Sequence, residues 1–362
     1  MKILTGPRAW ALGVIVLAAL GVSVSAVGTY TVVAGGLANP RGLTFAPDGR
    51  LYVAQAGTGD HTGVISEIRG AWTSSPSVRN VLTGLLSIPG ERPGEYTGVD
   101  GLSALGNGNI AAIMSESEAG GEPSPAGHLL QFNPGGQWRD LANVGTYNYA
   151  WSQAHQYLAP NDFQPGDSNP YGVLAVPGGV YVADAGTNTL NFVKANGEIS
   201  ILAYFPNNVI ADATPTCIAK GPDNALYVGT LAFVDSIVRG PQAVVYRVDP
   251  ADANPDDLNT ILTVAKPWAT GLFPITGCGF GPDGNFYATQ FFTQWPVATS
   301  GLPFRQGDVV KIPFATPTVH TSLTGGSLLV PGGLAVGPDG AVYVANKSAF
   351  VPAGEVVRLA NR

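Results

Sequence analysis

The sequence has 362 residues, of which 18 are basic and 25 acidic, so its formal net charge is −7. An acidic chain repels the phosphate backbone of nucleic acids, and this argues against a nucleic-acid partner. Two cysteines and four histidines are too few for a disulfide-dense scaffold or a zinc module.

The N-terminal segment has the pattern of a secretory signal peptide. Lys2 and Arg8 precede an apolar run over 9–22, and small residues at 24–26 are typical of a cleavage site. The run is shorter than the ~20 residues that span a bilayer, although a retained N-terminal anchor is the alternative. We expect a signal peptide over 1–26 and a secreted or extracytoplasmic mature protein, 27–362, without a transmembrane segment.

One unit recurs six times in the rest of the chain. Its clearest copy, 42–54, is a strand, a Pro-Asp-Gly turn and a second strand. Proline restricts φ and glycine accepts a positive φ, so this tripeptide favours a tight turn. A third apolar segment follows each pair, and a fourth follows several of them. The turn markers are Gly49, Gly108, Gly179, Asn224, Gly284 and Gly340.

Six units of about 56 residues, each with four short antiparallel strands, are typical of a six-bladed β-propeller. The sixth copy has three strands, and an apolar strand at 29–33 precedes the first copy. We therefore predict an all-β, monomeric, single-domain propeller over 27–362 whose last blade is closed by the N-terminal strand. No segment after residue 27 has the periodicity of a helix.

The long segments between strands are rich in aromatic residues and should open mostly on one face of the ring. They are 86–99, 114–127, 143–170, 230–243 and 290–307. Long loops on a rigid scaffold are frequent binding sites. Our binding candidates are Tyr147, Tyr149, Trp151, His155, Tyr157 and Trp295; Tyr96, Phe233 and Phe291 lie in the same loops. Alternatively, these side chains only pack the loops against the blades.

Polar residues occur at matched positions near the expected channel rim on this face. Those at the end of second strands are Gln55, Asp184, Thr230, Gln290 and Asn346, and those at or before first strands are Asn39, Asp100 and Asn169. Carboxylate and amide oxygens there could hold Ca²⁺. Alternatively, each side chain satisfies nearby backbone groups, above all in a turn at 184–188. No catalytic residue is predicted, because the sequence does not reveal a perturbed carboxylate.

Cys217 and Cys278 lie on the first strands of neighbouring units. Export permits a disulfide, and bonding requires Cα atoms within about 7 Å. Both a disulfide and two free thiols are consistent with the sequence. Neither a Gly-rich phosphate loop nor a Gly-x-Ser-x-Gly nucleophile motif occurs.

Two stretches resemble the ScyD/ScyE family: 167–172 (DSNPYG) followed by 180–188 (VYVADAGTN), and 214–216 (TPT) with 221–229. The resemblance covers 29–360. The family is named after a cyanobacterial scytonemin gene cluster and contains mostly exported proteins, so it implies a propeller and transfers no catalytic residue. The Pro-Asp-Gly repeat is also similar to NHL-type propellers, whose common role is binding. Two features depart from this pattern. The second copy has Gly-Asn-Gly at 106–108 in place of Pro-Asp-Gly, and Cys217 and Cys278 occupy strand positions.

The sequence therefore predicts an exported binding scaffold for a small molecule or an extracellular protein, with no assured catalytic activity or cofactor. The alternative is a Ca²⁺-dependent, lactonase-like hydrolase that uses the channel rim. A quinone-dependent sugar dehydrogenase is disfavoured, because no basic pocket with histidine is evident for the quinone.

Overall fold

The computed structural model describes residues 29–90, 92–115, 126–160, 166–206, 213–295, 306–350 and 353–360. The predicted signal peptide, 1–26, lies outside these residues. The described chain forms six antiparallel sheets, and the innermost strand of each contacts the innermost strands of both neighbours. This ring confirms the predicted six-bladed β-propeller.

The first strand of the chain, β1 (Tyr30–Leu37), belongs to the sixth blade. The first blade is β2 (Pro40–Phe45), β3 (Leu51–Gln55), β4 (Gly63–Arg69) and β5 (Ser77–Leu85). The second blade is β7 (Tyr96–Ala104), β8 (Ile110–Met114), β9 (His128–Phe132) and β10 (Trp138–Asn143), and it carries a short fifth strand, β6 (Ser87–Pro89), beside β7.

The third blade is β11 (Pro170–Val176), β12 (Gly179–Asp184), β13 (Thr189–Lys194) and β14 (Ile199–Tyr204). The fourth is β15 (Pro215–Lys220), β16 (Leu226–Thr230), β17 (Ala243–Val248) and β18 (Lys266–Leu272). The fifth is β19 (Ile275–Phe280), β20 (Phe286–Gln290), β21 (Asp308–Ile312) and β22 (Thr321–Ser322).

The sixth blade is β23 (Leu334–Val336), β24 (Val342–Asn346), β25 (Gly354–Leu359) and β1. β1 runs antiparallel to β25, from the pair Tyr30 and Leu359 to the pair Leu37 and Gly354. The N-terminal strand thus supplies the outer strand of the last blade, as predicted.

The turns between first and second strands are tight for a local reason. Gly284 and Gly340 both have φ near +74°, a conformation that side chains with a Cβ rarely adopt. In the fourth blade Asn224 takes this place with φ +66°, which asparagine tolerates better than most residues. The Pro-Asp-Gly signal and its Asn variant therefore specify the same hairpin.

The hydrophobic core lies between the blades, because each sheet is apolar on both faces. The rings of Tyr52 in the first blade and Phe132 in the second meet edge to face, with centroids 6.1 Å apart. Ile65 and Leu102 are buried in the same cluster. Each interface of this kind fixes the angle between two blades, and this angle sets the shape of the central channel.

In the part of the chain that the structure describes, three short α-helices lie in the connections, where the sequence indicated none. They are α1 (Val144–Ala154), α2 (Phe233–Arg239) and α3 (Leu258–Thr263). The buried face of α1 consists of Val144, Gly145, Asn148 and Ser152. Because two of these residues are polar and one is glycine, their helical spacing does not appear as hydrophobic periodicity.

Cys217 on β15 and Cys278 on β19 form a disulfide, with Cα atoms 5.7 Å apart. It joins the innermost strands of the fourth and fifth blades. No described helix has both the length and the apolar character required to cross a bilayer.

Candidate functional site at the mouth of the channel

The central channel has a volume of about 380 Å³ and is lined by all six innermost strands. At its end on the face of the long loops lies a pocket of about 270 Å³, here called the mouth pocket. Its lining includes Arg41, Arg92, Glu95, Tyr96, Asp100, Ser115, Asn169, Tyr171, Phe233, Phe291 and Phe350. Asp100, Tyr171, Thr216 and Thr276 line both spaces, so the pocket leads into the channel.

An ion pair lies in the floor of the mouth pocket. Arg41 on β2 and Asp100 on β7 come from neighbouring blades, and Arg41 Nε lies 3.3 Å from Asp100 Oδ1. Both atoms are buried, and neither makes a hydrogen bond of good geometry. Arg41 Nη2 donates to the Tyr96 carbonyl oxygen at 2.7 Å, and Ser115 Oγ donates to Asp100 Oδ2.

Two titratable groups in this floor have shifted pKa values. Burial raises the pKa of Asp100 above that of an ordinary aspartate, although the charge of Arg41 and the hydrogen bond from Ser115 oppose the shift. Burial and then the charge of Asp100 raise the pKa of Tyr171 to about 12, so its phenol stays protonated at neutral pH. The floor thus combines a fixed cation, a carboxyl that protonates unusually readily and a hydroxyl donor.

Of the predicted rim residues, Asp100 and Asn169 line the mouth pocket. Asn39 and Gln55 are buried and lie outside the lining of this pocket. Asn39 Nδ2 donates to the Gly57 carbonyl oxygen at 2.8 Å. Gln55 Oε1 accepts from the backbone N–H of residue 38, and its Nε2 donates to the Ser66 hydroxyl at 2.7 Å.

Asp184 is the centre of a buried hydrogen-bond network. Its Oδ1 accepts from the backbone N–H groups of Asn169, Gly186 and Thr187 at 2.8–3.0 Å. Its Oδ2 accepts from Asn148 Nδ2 and Ser168 Oγ at 2.6 and 2.7 Å. The segment 184–188 is therefore a side-chain-stabilised turn, which also anchors α1 through Asn148.

The other rim residues also face the protein. Thr230 Oγ1 both accepts from and donates to the backbone of Val244. Asn346 accepts from the Leu329 N–H and donates to Glu355 Oε1 at 2.8 and 2.7 Å. Gln290 is buried at the end of β20.

The described residues of the rim do not form a cluster of carboxylates around a possible calcium ion. Ca²⁺ requires six to eight oxygen ligands, usually with several carboxylates. Among the described residues, no group of three or more His, Cys, Asp or Glu side chains could hold a metal ion. The Asp184 oxygens are occupied by five protein donors, and Asp100 already lies beside the positive charge of Arg41.

The six aromatic-loop candidates lie outside the lining of the mouth pocket. Trp151 stacks on His155 with ring centroids 4.3 Å apart, and it packs against Tyr204 at the outer edge of the third blade. The most exposed of the others are Tyr147, Tyr157 and Trp295, at 41%, 64% and 49%; Tyr149 is half-buried. Three other aromatic residues that the sequence placed in the long loops, Tyr96, Phe233 and Phe291, do line the pocket.

Sequence reasoning missed Arg41, Ser115 and Tyr171. A signal for Arg41 exists: it is a charged residue within a first strand, next to the small Gly42. Tyr171 belongs to one of the stretches that carry the family resemblance. The sequence did not indicate that these three residues meet, because they lie far apart in the chain. Arg41 lies on β2, Ser115 directly follows β8, and Tyr171 lies on β11.

Several solved structures are similar to this chain. A structural-genomics protein of unknown function from Bacteroides thetaiotaomicron has a TM-score of 0.54 and 10% identity, and the match covers 92% of this chain and 72% of that one. A putative gluconolactonase has a TM-score of 0.52, 12% identity and coverages of 92% and 94%. A catalytically inactive virginiamycin B lyase from Staphylococcus aureus, with quinupristin, has a TM-score of 0.50, 14% identity and coverages of 92% and 99%.

At such identities these matches show the propeller fold alone. No family model matches this sequence, and no curated protein matches it either. The resemblance to the ScyD/ScyE family therefore stays a prediction.

Proposed function

We propose that this protein is an exported binding propeller and that it holds a small organic molecule in the mouth pocket. The observation that carries the proposal is the composition of this pocket. The charged pair of Arg41 and Asp100 forms its floor, and the aromatic rings of Phe233, Phe291 and Phe350 line it above. Apolar walls with a few polar groups are typical of small-molecule sites.

The size of the pocket favours a small ligand over a protein partner. Its volume of about 270 Å³ is slightly below the usual range for ligand pockets, roughly 300–1,000 Å³. Described residues of the long loops, among them Tyr96, Phe233 and Phe291, line the pocket, so a ligand bound there would lose much of its contact with water. Apolar burial then supplies affinity, and the floor supplies orientation.

Export is the second part of the proposal. It is supported by the signal-peptide pattern at 1–26 and by the disulfide between Cys217 and Cys278, because disulfides persist mainly in oxidising compartments.

The Ca²⁺-dependent, lactonase-like hydrolase is the weaker proposal. A gluconolactonase-type fold is compatible with it, and the raised pKa of Asp100 would suit proton transfer. However, the side-chain oxygens of Asp184 and Asn346 accept from protein donors, and no cluster of carboxylates among the described residues could hold a cation. A rise in melting temperature with Ca²⁺ that EDTA reverses would favour the hydrolase.

The binding proposal is tested by a melting-temperature screen of residues 27–362 against organic acids, sugars, lactones and aromatic metabolites, followed by calorimetry on each hit. Phe233→Ala should weaken binding about tenfold, because the ligand loses roughly 1.4 kcal/mol of apolar contact. Phe314→Ala is the matched control, since Phe314 is an equally half-buried aromatic residue outside the pocket.

Ligands that bind the wild type and the Phe314 variant equally, but the Phe233 variant more weakly, support the pocket. A screen without hits, or hits that are insensitive to Phe233, would overturn the proposal.

A further inference from the structure

We propose that the mouth pocket selects an organic anion, which the Arg41 guanidinium binds, and that the charged Asp100 carboxylate opposes this binding until it takes up a proton. The inference rests on the proposed function of the pocket and names the class of its ligand. It is carried by the geometry of the ion pair in the floor.

The two members of the ion pair are unequally accessible. The Arg41 side chain is 13% exposed, whereas that of Asp100 is 4% exposed. Asp100 Oδ1 is buried, and Oδ2 accepts from Ser115 Oγ. Both side chains line the pocket, and Arg41, the cationic member, is the more exposed of the two.

The Arg41 guanidinium retains hydrogen-bonding capacity. It carries five N–H donors in a planar fork that matches a carboxylate. Nη2 donates to the Tyr96 carbonyl oxygen, and the Tyr171 hydroxyl interacts with the group. Nε faces Asp100 at 3.3 Å without a hydrogen bond of good geometry. These contacts involve three of the five donors, so two N–H groups are left to bind an anion while the group holds its neighbours.

The walls indicate what the rest of the ligand should be. Phe233 and Phe291 meet at a centroid distance of 6.1 Å, and Phe350 belongs to the same apolar cluster. Such walls favour an apolar, preferably planar, body attached to the anionic group. A free inorganic anion would leave these walls without a partner.

Asp100 makes the binding depend on pH. A ligand carboxylate on Arg41 would lie close to the Asp100 carboxylate, and two anions in a poorly hydrated site repel each other. Protonation of Asp100 removes this repulsion and leaves the charge of Arg41 to the ligand. Burial raises the pKa of Asp100, which moves this change toward neutral pH.

The other charged or titratable groups of the pocket must be considered too. Tyr171 faces the ion pair, and its pKa of about 12 keeps its phenol neutral over the pH range of the experiment. Arg92 and Glu95 lie in the loop before β7, and Tyr96 is the first residue of β7. Glu95 is the other carboxylate among the described lining residues, so it is the group that an experiment must separate from Asp100.

The test uses phenylacetate and its neutral amide, phenylacetamide, as probes in calorimetry with the full mature chain at about pH 5 and pH 8. We expect wild-type protein to bind phenylacetate at least tenfold more tightly than the amide, and about tenfold more tightly at the lower pH. Asp100→Asn should bind phenylacetate tightly at both pH values. Arg41→Gln should lose the preference for the anion.

Arg247→Gln is the matched control, because Arg247 pairs with Asp223 outside the pocket. If Asp100→Asn melts early, Glu95→Gln decides the matter, because it keeps the pH dependence of phenylacetate binding if Asp100 is the source and loses it if Glu95 is. Loss of the pH dependence in Glu95→Gln, with its retention in Asp100→Asn, would overturn the role of Asp100.

Equal affinity for phenylacetate and phenylacetamide would contradict the selection of an anion, but it would not contradict ligand binding in the mouth pocket. Absence of binding by both probes would also overturn the inference, whereas the wider ligand screen alone decides whether the pocket binds anything.

Discussion

At the residue scale, one side-chain cluster recurs at the turns on the face opposite the mouth pocket. In the sixth blade, Asp339 Oδ2 accepts from the Tyr343 hydroxyl at 3.0 Å and from Arg358 Nε at 2.8 Å. The equivalent clusters are Asp223, Tyr227 and Arg247 in the fourth blade and Asp283, Tyr287 and Lys311 in the fifth. Each ties the turn between the first two strands to the third strand.

These clusters show that the aspartate and the tyrosine of the repeat have a structural role and are not part of the mouth pocket. The turn aspartate orients the strand-2 tyrosine, which is buried between blades, and it neutralises a cation of the third strand. The first blade shows a variant in which Glu67 accepts from Tyr52 and pairs with Arg50, Arg69 and Arg79.

Asp339 should make stability sensitive to acid. Partial burial opposes the shift, but hydrogen bonds from Arg358, the Ala341 backbone and Tyr343 lower the pKa of Asp339 below its usual 3.8. Because the folded-state pKa is depressed, its contribution to stability is present above about pH 4 and is lost as the pH falls through the folded-state pKa.

We therefore expect Asp339→Asn to lower the free energy of unfolding by about 1–2 kcal/mol at neutral pH and to flatten its decline in acid. Denaturant unfolding between neutral pH and about pH 2 measures both effects. Asp252→Asn, at an exposed aspartate in a turn, is the control. An unaltered acid profile in the Asp339 variant would contradict this account.

At the element scale, the closing strand β1 decides whether the ring is complete. It buries Val33, Ala34 and Leu37, and it covers the edge of β25 with an antiparallel ladder. Without it, β25 would expose an unpaired edge and part of the sixth-blade core, a configuration that promotes aggregation.

A chain without residues 1–37 should unfold at lower denaturant concentration, with a loss of about 3 kcal/mol or more from the burial of Val33 and Leu37. The matched control lacks residues 1–28 and keeps β1. Equilibrium unfolding followed by tryptophan fluorescence compares the two. Equal midpoints would mean that closure by β1 contributes little.

The helices show that hydrophobic periodicity in the sequence does not predict every element of the fold. The buried face of α1 is held by the hydrogen bonds of Asn148 to Asp184 and of Ser152 to the Asp167 carbonyl oxygen. These bonds require the 184–188 turn of the third blade to be in place. A helix that depends on such long-range polar contacts has no hydrophobic pattern of its own.

At the scale of the whole molecule, the disulfide that links two blades of the ring agrees with the proposed export. The disulfide links β15 and β19 and closes a loop with a sequence separation of 61 residues, which constrains the unfolded chain. A cross-link of this kind is useful where no reducing system maintains thiols.

Expression of residues 1–362 in a secreting bacterial host should give an extracytoplasmic protein that begins at Val27. N-terminal sequencing identifies the cleavage site, and alkylation under denaturing, non-reducing conditions should find no free thiol. Recovery in the cytoplasm with residues 1–26 retained, or with reactive cysteines, would contradict the proposal of export.

The sequence by itself determined the architecture. Six copies of an apolar strand, a tight turn and a second strand are local patterns, and the position of the spare strand at 29–33 indicated how the ring closes. Such features depend on neighbours along the chain, so they can be read without coordinates. The same reading placed Asp100 and Asn169 near the rim of the channel, and both residues line the mouth pocket.

Only the tertiary structure decided which polar residues meet. Asp184 was a candidate for the rim, yet its carboxylate serves a turn and a helix. Arg41 had no evident role, yet it pairs with Asp100 across a blade boundary. The angle between neighbouring blades, set by core packing from distant parts of the chain, places these two residues together, and no sequence spacing encodes that angle.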